Sequence, residues 1–164
     1  SPPDTARLVT ERLTDYELGL YAAPSFLARF GSPERVEELT AYPIIGYIDD
    51  LIYAPELRYL PEISPHLRPI LSSTSIRAQE EIIAAGGGIG VLPCFLSGGL
   101  TRVLPSVRLI RTFWMSTYRE IAETARMRVI RAWMHEVARR ERGRLRPDDP
   151  APLNAFPAVL ARPA

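Results

Sequence analysis

The chain has 164 residues, 46% of them hydrophobic, and a formal net charge of +1. That length buries a core in one domain or two small lobes, and near-neutrality gives no general attraction to phosphates, so the chain alone is not expected to bind DNA. No run approaches the roughly 20 apolar residues that span a bilayer, and Ser1-Pro2-Pro3-Asp4 has neither the basic nor the apolar region of a signal peptide.

Alternation over residues 6–13 predicts a half-buried strand and residues 17–22 a more buried one, with a turn at Thr14-Asp15 between them. Pro24 starts a short helix through Phe30, Gly31-Ser32-Pro33 ends it, and residues 34–40 form a second helix with acidic residues near its start. An apolar strand over 44–48 stops at Asp49-Asp50. Prolines at 55, 61, 65 and 69 predict an irregular connection with one short helix over 56–60, and residues 68–72 read as a short strand. Ser73, Thr74 and Ser75 are N-cap candidates for a helix through Ala85, which Gly86-Gly87-Gly88 stops before a buried strand over 89–92. Residues 101–104 and 107–118 read as strands. A long helix over 119–142 follows, with Ile121, Ala122, Ala125, Val129, Trp133 and Val137 on one face and arginines on the other. From Gly143 the composition predicts a Pro-rich tail with little independent structure.

Strands alternating with helices indicate an α/β protein with largely parallel sheets. Residues 19–92 suffice for one small sheet, whereas the flanking segments lack the strands for a comparable second one. All 20 basic residues are arginine, a compositional bias with no functional content. The single cysteine, Cys94, excludes an internal disulfide and fits a reducing compartment, so a cytoplasmic location is expected. Its apolar surroundings predict an inert thiol, with redox sensing as the alternative.

Three stretches together resemble the effector-binding domain of LysR-type transcription regulators. Residues 18–33, LGLYAAPSFLARFGSP, are similar to the family's strand, Ala-Pro turn, Leu-Ala helix and Gly-x-Pro. Residues 84–93, AAGGGIGVLP, resemble its Ala-Gly-x-Gly-Ile-x-x-Leu-Pro segment. Residues 113–128 look like the closing strand and helix, with Tyr118 where a histidine often stands. Each motif is weak alone; their order and spacing make the match, which covers residues 6–142. The resemblance implies a type 2 periplasmic-binding-protein-like fold of two lobes joined by crossing strands, with the first lobe incomplete in this chain. Residues 1–14 and 93–142 would belong to that first lobe, 15–92 to the second, and 143–164 to the tail. It further implies an effector-sensing domain of a bacterial regulator whose DNA-binding winged helix and opening strands lie upstream. The partners would be a small effector, such as a carboxylate or an aromatic, and further copies in a homodimer or homotetramer, with no membrane involved. The alternative is the solute-binding protein of a transporter, because fold alone does not fix function.

The free N–H groups and hydroxyls of Ser72, Ser73, Thr74 and Ser75 at a helix start suit a carboxylate, with plain capping as the alternative role. The resemblance favours binding, with Thr74 and Ser73 foremost. Tyr47, Ile48 and Asp49 follow a strand whose C-terminal end should open on the cleft, although Asp49-Asp50 would repel an anion. Pro93 and Phe95 are expected along the same cleft, although a phenylalanine at the place of Phe95 is more often simply core. Gly86–Gly90 follow a helix and precede a strand, the reverse of a nucleotide loop. His66, His135 and Cys94 lack metal-ligand spacing, and neither histidine stands near a nucleophile elbow. No cofactor, metal or catalytic activity is expected. The arginines of the last helix read as a solvated face paired with Glu120, Glu123, Glu136 and Glu141, with some available for subunit contacts.

Overall fold

The computed structural model describes residues 7–52 and 54–147. The chain opens on one long strand, β1 (Leu8–Ala22), followed by α1 (Pro24–Phe30), β2 (Ile44–Gly46), α2 (Tyr59–Ile63), β3 (Leu71–Ser72), α3 (Ile76–Ala84), β4 (Ile89–Pro93), β5 (Thr101–Val103), β6 (Leu109–Tyr118), α4 (Arg119–Ala122), α5 (Ala125–Arg140) and α6 (Arg142–Leu145). Turns of 3₁₀ helix at Val36–Ala41, Asp49–Leu51, Pro55–Leu57 and Cys94–Leu96 link them.

The strands form one six-stranded mixed sheet in the order β3-β2-β4-β1-β5, with β6 also paired to β1. The C-terminal half of β1 sits antiparallel between β4 (Leu20 opposite Val91) and β5 (Leu20 opposite Val103). Its N-terminal half pairs antiparallel with β6, from Leu8 opposite Tyr118 to Leu18 opposite Leu109. Only β2 pairs in parallel, with β3 on one side and β4 on the other. The expected mainly parallel pairing therefore gives way to a mixed sheet, because β1 takes three antiparallel partners.

Alternation along β1 sends Leu18, Leu20 and Ala22 to one face, where they meet Phe26, Leu39, Tyr59, Leu60 and Leu67. Tyr21 points the other way, onto Ile45, Ile83 and Leu92 with α3. A layer on each face buries the central strands, as a sheet with apolar residues on both sides requires. Past the end of α3, Gly86 has φ +83° and its N–H and that of Gly87 donate to Ile83 and Ile82, which closes the helix. Gly88 has φ +154°, and a Cβ there would lie 2.3 Å from the Pro43 carbonyl oxygen.

Several expected boundaries move. The turn at Thr14-Asp15 is absent: β1 runs through it with a register shift between Arg12 and Thr14. There Asp15 accepts hydrogen bonds from Thr112 Oγ1 at 2.7 Å and from Arg12, so the polar pair is satisfied across a bulge. The helix expected over 34–40 is a 3₁₀ segment, Val36–Ala41, the one expected over 56–60 splits into a 3₁₀ turn and α2, and the strand over 68–72 shrinks to Leu71–Ser72. The long C-terminal helix is three pieces. The Thr124 hydroxyl caps α5 by accepting from the Met127 N–H at 3.4 Å, and α6 extends regular structure into the start of the expected tail. The rest of the tail, from residue 148, lies outside the described residues.

The apolar face predicted for that helix is not in a core here. Val129 is 69% and Trp133 60% exposed, alongside Ile121 and Ile130; Ala122 and Ala138 are the buried positions of the helical segment. Phe113 and Trp114 of β6 are also exposed. Of the expected pairs along α5, Arg139 meets Glu136, while Arg131 reaches instead to Glu11 of β1 through Nε and Nη2, both at 2.7 Å. Among the described residues no helix is long and apolar enough to cross a membrane.

Candidate functional site

Parallel pairing puts the C-terminal ends of β2, β3 and β4 at one edge of the sheet. Ser72 lies in register with Gly46, and the Ser73 N–H donates to the Gly46 carbonyl at 3.0 Å, so the start of α3 stands beside Tyr47. Open α/β sheets place ligands at such an edge. The residues expected there come together in part: Tyr47 and Ile48 are half-buried, Ser72, Thr74, Ser75 and Asp49 are exposed, and Ser73 is intermediate.

Their hydroxyls divide by role. Ser75 Oγ accepts from the Ala78 N–H at 3.4 Å as the N-cap of α3, and Ser73 Oγ accepts from the Ser75 N–H at 3.1 Å. Both therefore fix the helix start. The hydroxyls of Ser72 and Thr74 have no hydrogen-bond partner among the described residues, and the first intrahelical bond, from the Gln79 N–H to Ser75 O at 3.1 Å, leaves the Ile76 and Arg77 N–H groups ahead of it. Gln79, buried to 1% exposure, donates from Nε2 to Ser73 O at 2.9 Å and so ties the loop to its helix. A polar residue on the inward face of α3 is a signal the sequence carries, but its partner is a backbone oxygen that no spacing identifies.

Beside this edge runs an aromatic row. Tyr47 and Tyr59 meet edge-on at 5.8 Å, Tyr16 stacks on Phe113 at 4.2 Å, and Phe95 stands 5.9 Å from Tyr16 and 6.2 Å from Phe113. Burial, reinforced by Tyr16 and Tyr47, pushes the Tyr59 phenol far above its ordinary value, and burial also raises Tyr16, so both stay protonated at neutral pH. Arg111 lies over the Tyr59 ring with its guanidinium carbon 5.5 Å from the centroid; Nε donates to the Glu56 carbonyl at 2.9 Å, and the head pairs with Glu62. A hollow of about 20 Å³ lies between Tyr47, Asp49, Arg58, Tyr59 and Gln79, room for water alone. Pro93 is buried in β4 opposite Leu18, whereas Phe95 belongs to the aromatic row. Sequence reasoning missed Tyr16, Tyr59, Arg111 and Phe113, which meet only through long-range pairing.

Behind the row, Glu17 is fully buried on β1 and accepts from Arg102 Nη2 at 2.6 Å and Arg108 Nε at 3.0 Å. Burial pushes its carboxyl up, but hydrogen bonds from Arg108 and Arg102 outweigh that and hold it below the ordinary 4.5. Arg102 passes over Gly19, where a Cβ would lie 3.0 Å from its Nε. Cys94 is half-buried, its thiol pushed up by burial, and its Sγ donates to the Arg144 and Leu145 carbonyls at 3.0 and 2.9 Å. Among the described residues no group of three His, Cys, Asp or Glu is placed to hold a metal.

The arrangement offers a helix start, two hydroxyls and a tyrosine row. The LysR substrate binding domain family matches residues 1–139. This chain belongs to that family. It is 33% identical over 99 residues to the iron-regulated virulence regulatory protein IrgB of Vibrio cholerae, a match covering 58% of this chain and 33% of that protein. The match thus spans about a third of that relative's length. The fold is also similar to the regulatory domain of CrgA, a LysR-type regulator from Neisseria meningitidis, with TM-score 0.69 and 23% identity over 82% of this chain and 71% of that one. For the effector domain of the regulator AmpR of Pseudomonas aeruginosa the TM-score is 0.64, with 19% identity over 87% and 71% of the two chains. At these identities the likeness carries the periplasmic-binding-protein-like fold of LysR regulatory domains.

Proposed function

We propose that this chain senses a small effector for a LysR-type DNA-binding transcription regulator, and that the effector docks at the C-terminal edge of β2 and β3. The observation that carries the site is the juxtaposition of the Thr74 and Ser72 hydroxyls and the α3 N–H groups with Tyr47. Such a constellation suits a carboxylate, with an aromatic body lying toward Tyr47 and Tyr59.

We further propose a division into two lobes, residues 15–92 in one and 1–14 with 93–142 in the other. The ribbon of β1 and β6 and the exposed apolar faces of β6 and α5 support this division, since they offer the surface on which a further layer packs. Effector binding alters the geometry between lobes, and the change reaches DNA through an N-terminal winged helix and a homo-oligomer in the cytoplasm. No enzymatic step enters this reading. The relatives described above are regulators, which favours sensing over the transport of a solute.

The test is a thermal-shift screen of small carboxylic acids and aromatics on the full-length protein, with calorimetry on each hit. Replacing Ser72 and Thr74 together by alanine is expected to weaken binding about tenfold or more, the scale of one or two lost hydrogen bonds to a charged group. Unchanged affinity for every hit would remove the site from this edge.

A further inference from the structure

The small hollow beside the C-terminal end of β2 is walled by that strand, by residues 57–61 and by Gln79 of α3. Among its lining side chains two carry a formal charge, Asp49 and Arg58, one of each sign. Both residues are exposed, and among the described residues neither side chain has an ion-pair or hydrogen-bond partner. Elsewhere facing charges close on each other, as Arg12 does on Asp15, Arg131 on Glu11 and Arg111 on Glu62. Asp49 and Arg58 border one hollow and do not meet.

The surface between them is largely aromatic and apolar, with Tyr47 and Tyr59 edge-on at 5.8 Å and Ile52 and Leu57 beside them. Gln79 is committed through Nε2 to Ser73 O, so it fixes the loop ahead of α3. That leaves Asp49 and Arg58 as the ionic groups a ligand would find. With about 20 Å³ of space, the hollow does not take a ligand inside. A ligand lies across its mouth, where both charged residues are exposed.

We infer that the effector carries both charges: a zwitterion of the α-amino-acid class with an apolar or aromatic side chain, its carboxylate between Arg58 and the start of α3 and its ammonium at Asp49. This rests on the edge reading above and narrows it. A plain carboxylate suits Arg58 and the helix start but meets Asp49 as a like charge, and a plain amine meets Arg58 in the same way. A molecule of both signs turns each repulsion into a charge-assisted hydrogen bond, so Asp49 serves specificity by rejecting plain acids. The tyrosine pair supplies flat surface for the side chain.

The experiment is calorimetry on the full-length protein at low ionic strength, with L-phenylalanine, L-tyrosine and L-leucine as probes. Each is compared with the acid lacking its amino group and the amine lacking its carboxyl group. At least one amino acid is expected to bind saturably, and its two single-charge analogues about tenfold more weakly. Asp49→Asn should weaken the amino acid about tenfold without weakening the deaminated acid, whereas Arg58→Gln should weaken both. No saturable binding by any of the three, an acid that binds as tightly as its amino acid, or unaltered amino-acid affinity in Asp49→Asn overturns the zwitterion. If such an acid loses affinity when Ser72 and Thr74 are both replaced by alanine, the edge site stands without the zwitterion. If that double variant leaves every binder unaltered, the edge site falls and this inference falls with it.

Discussion

Glu17 shows how one residue constrains a whole region. A fully buried carboxylate is tolerated only with its charge answered, and Arg102 and Arg108 answer it from β5 and from the loop before β6. Glu17→Ala leaves two cations facing a buried void, so a loss of about 3 kcal/mol is expected in urea unfolding, the range for breaking a buried pair. The sign of the pH dependence follows from the depressed carboxyl. Its stabilisation is present above the ordinary 4.5 and disappears as pH falls through the lower folded value. Acid unfolding curves of the unaltered protein should therefore fall more steeply below pH 4.5 than those of Glu17→Gln. Nothing local in the sequence marks this group. Glu17 lies 85 residues from Arg102 and 91 from Arg108, and only strand pairing unites them.

At the scale of elements, the best-read part of the chain was the passage from β3 to β4, where local chemistry decides the outcome. Ser75 caps α3, Gly86 closes it, and a Cβ at Gly88 would collide with the Pro43 carbonyl. Ser75→Ala should cost about 1 kcal/mol. Gly88→Ala should cost more, about 2 kcal/mol or above, through both its positive φ and the collision; thermal melts of the two variants would rank them. The unread parts are those that long-range partners decide. Thr14-Asp15 reads as a turn until Thr112 and Arg12 satisfy it within a bulged strand. The apolar spacing from Ile121 to Val137 marks a face that stays largely exposed among the described residues, because spacing reports periodicity and not what packs against it. The candidate site was legible in the same uneven way. Ser73, Thr74 and Tyr47 announced themselves by lying at element ends, whereas Tyr59, Tyr16 and Phe113 are ordinary aromatics until the fold lines them up.

For the whole molecule, the uneven distribution of its core carries the functional reading. The C-terminal half of β1 is enclosed on both faces and both edges, while Trp114 on β6 and Trp133 on α5 stay exposed. If a further layer covers these two faces in the proposed regulator, iodide should quench tryptophan fluorescence less there than in the 164-residue chain. The more direct question is whether an effector seats beside α3. Hydrogen exchange on the full-length protein, with and without a screened ligand, answers it at peptide resolution. Ligand-dependent protection over residues 46–49 and 72–79 is the predicted result. Protection confined to other segments, with these two unchanged at saturating ligand, would contradict the account.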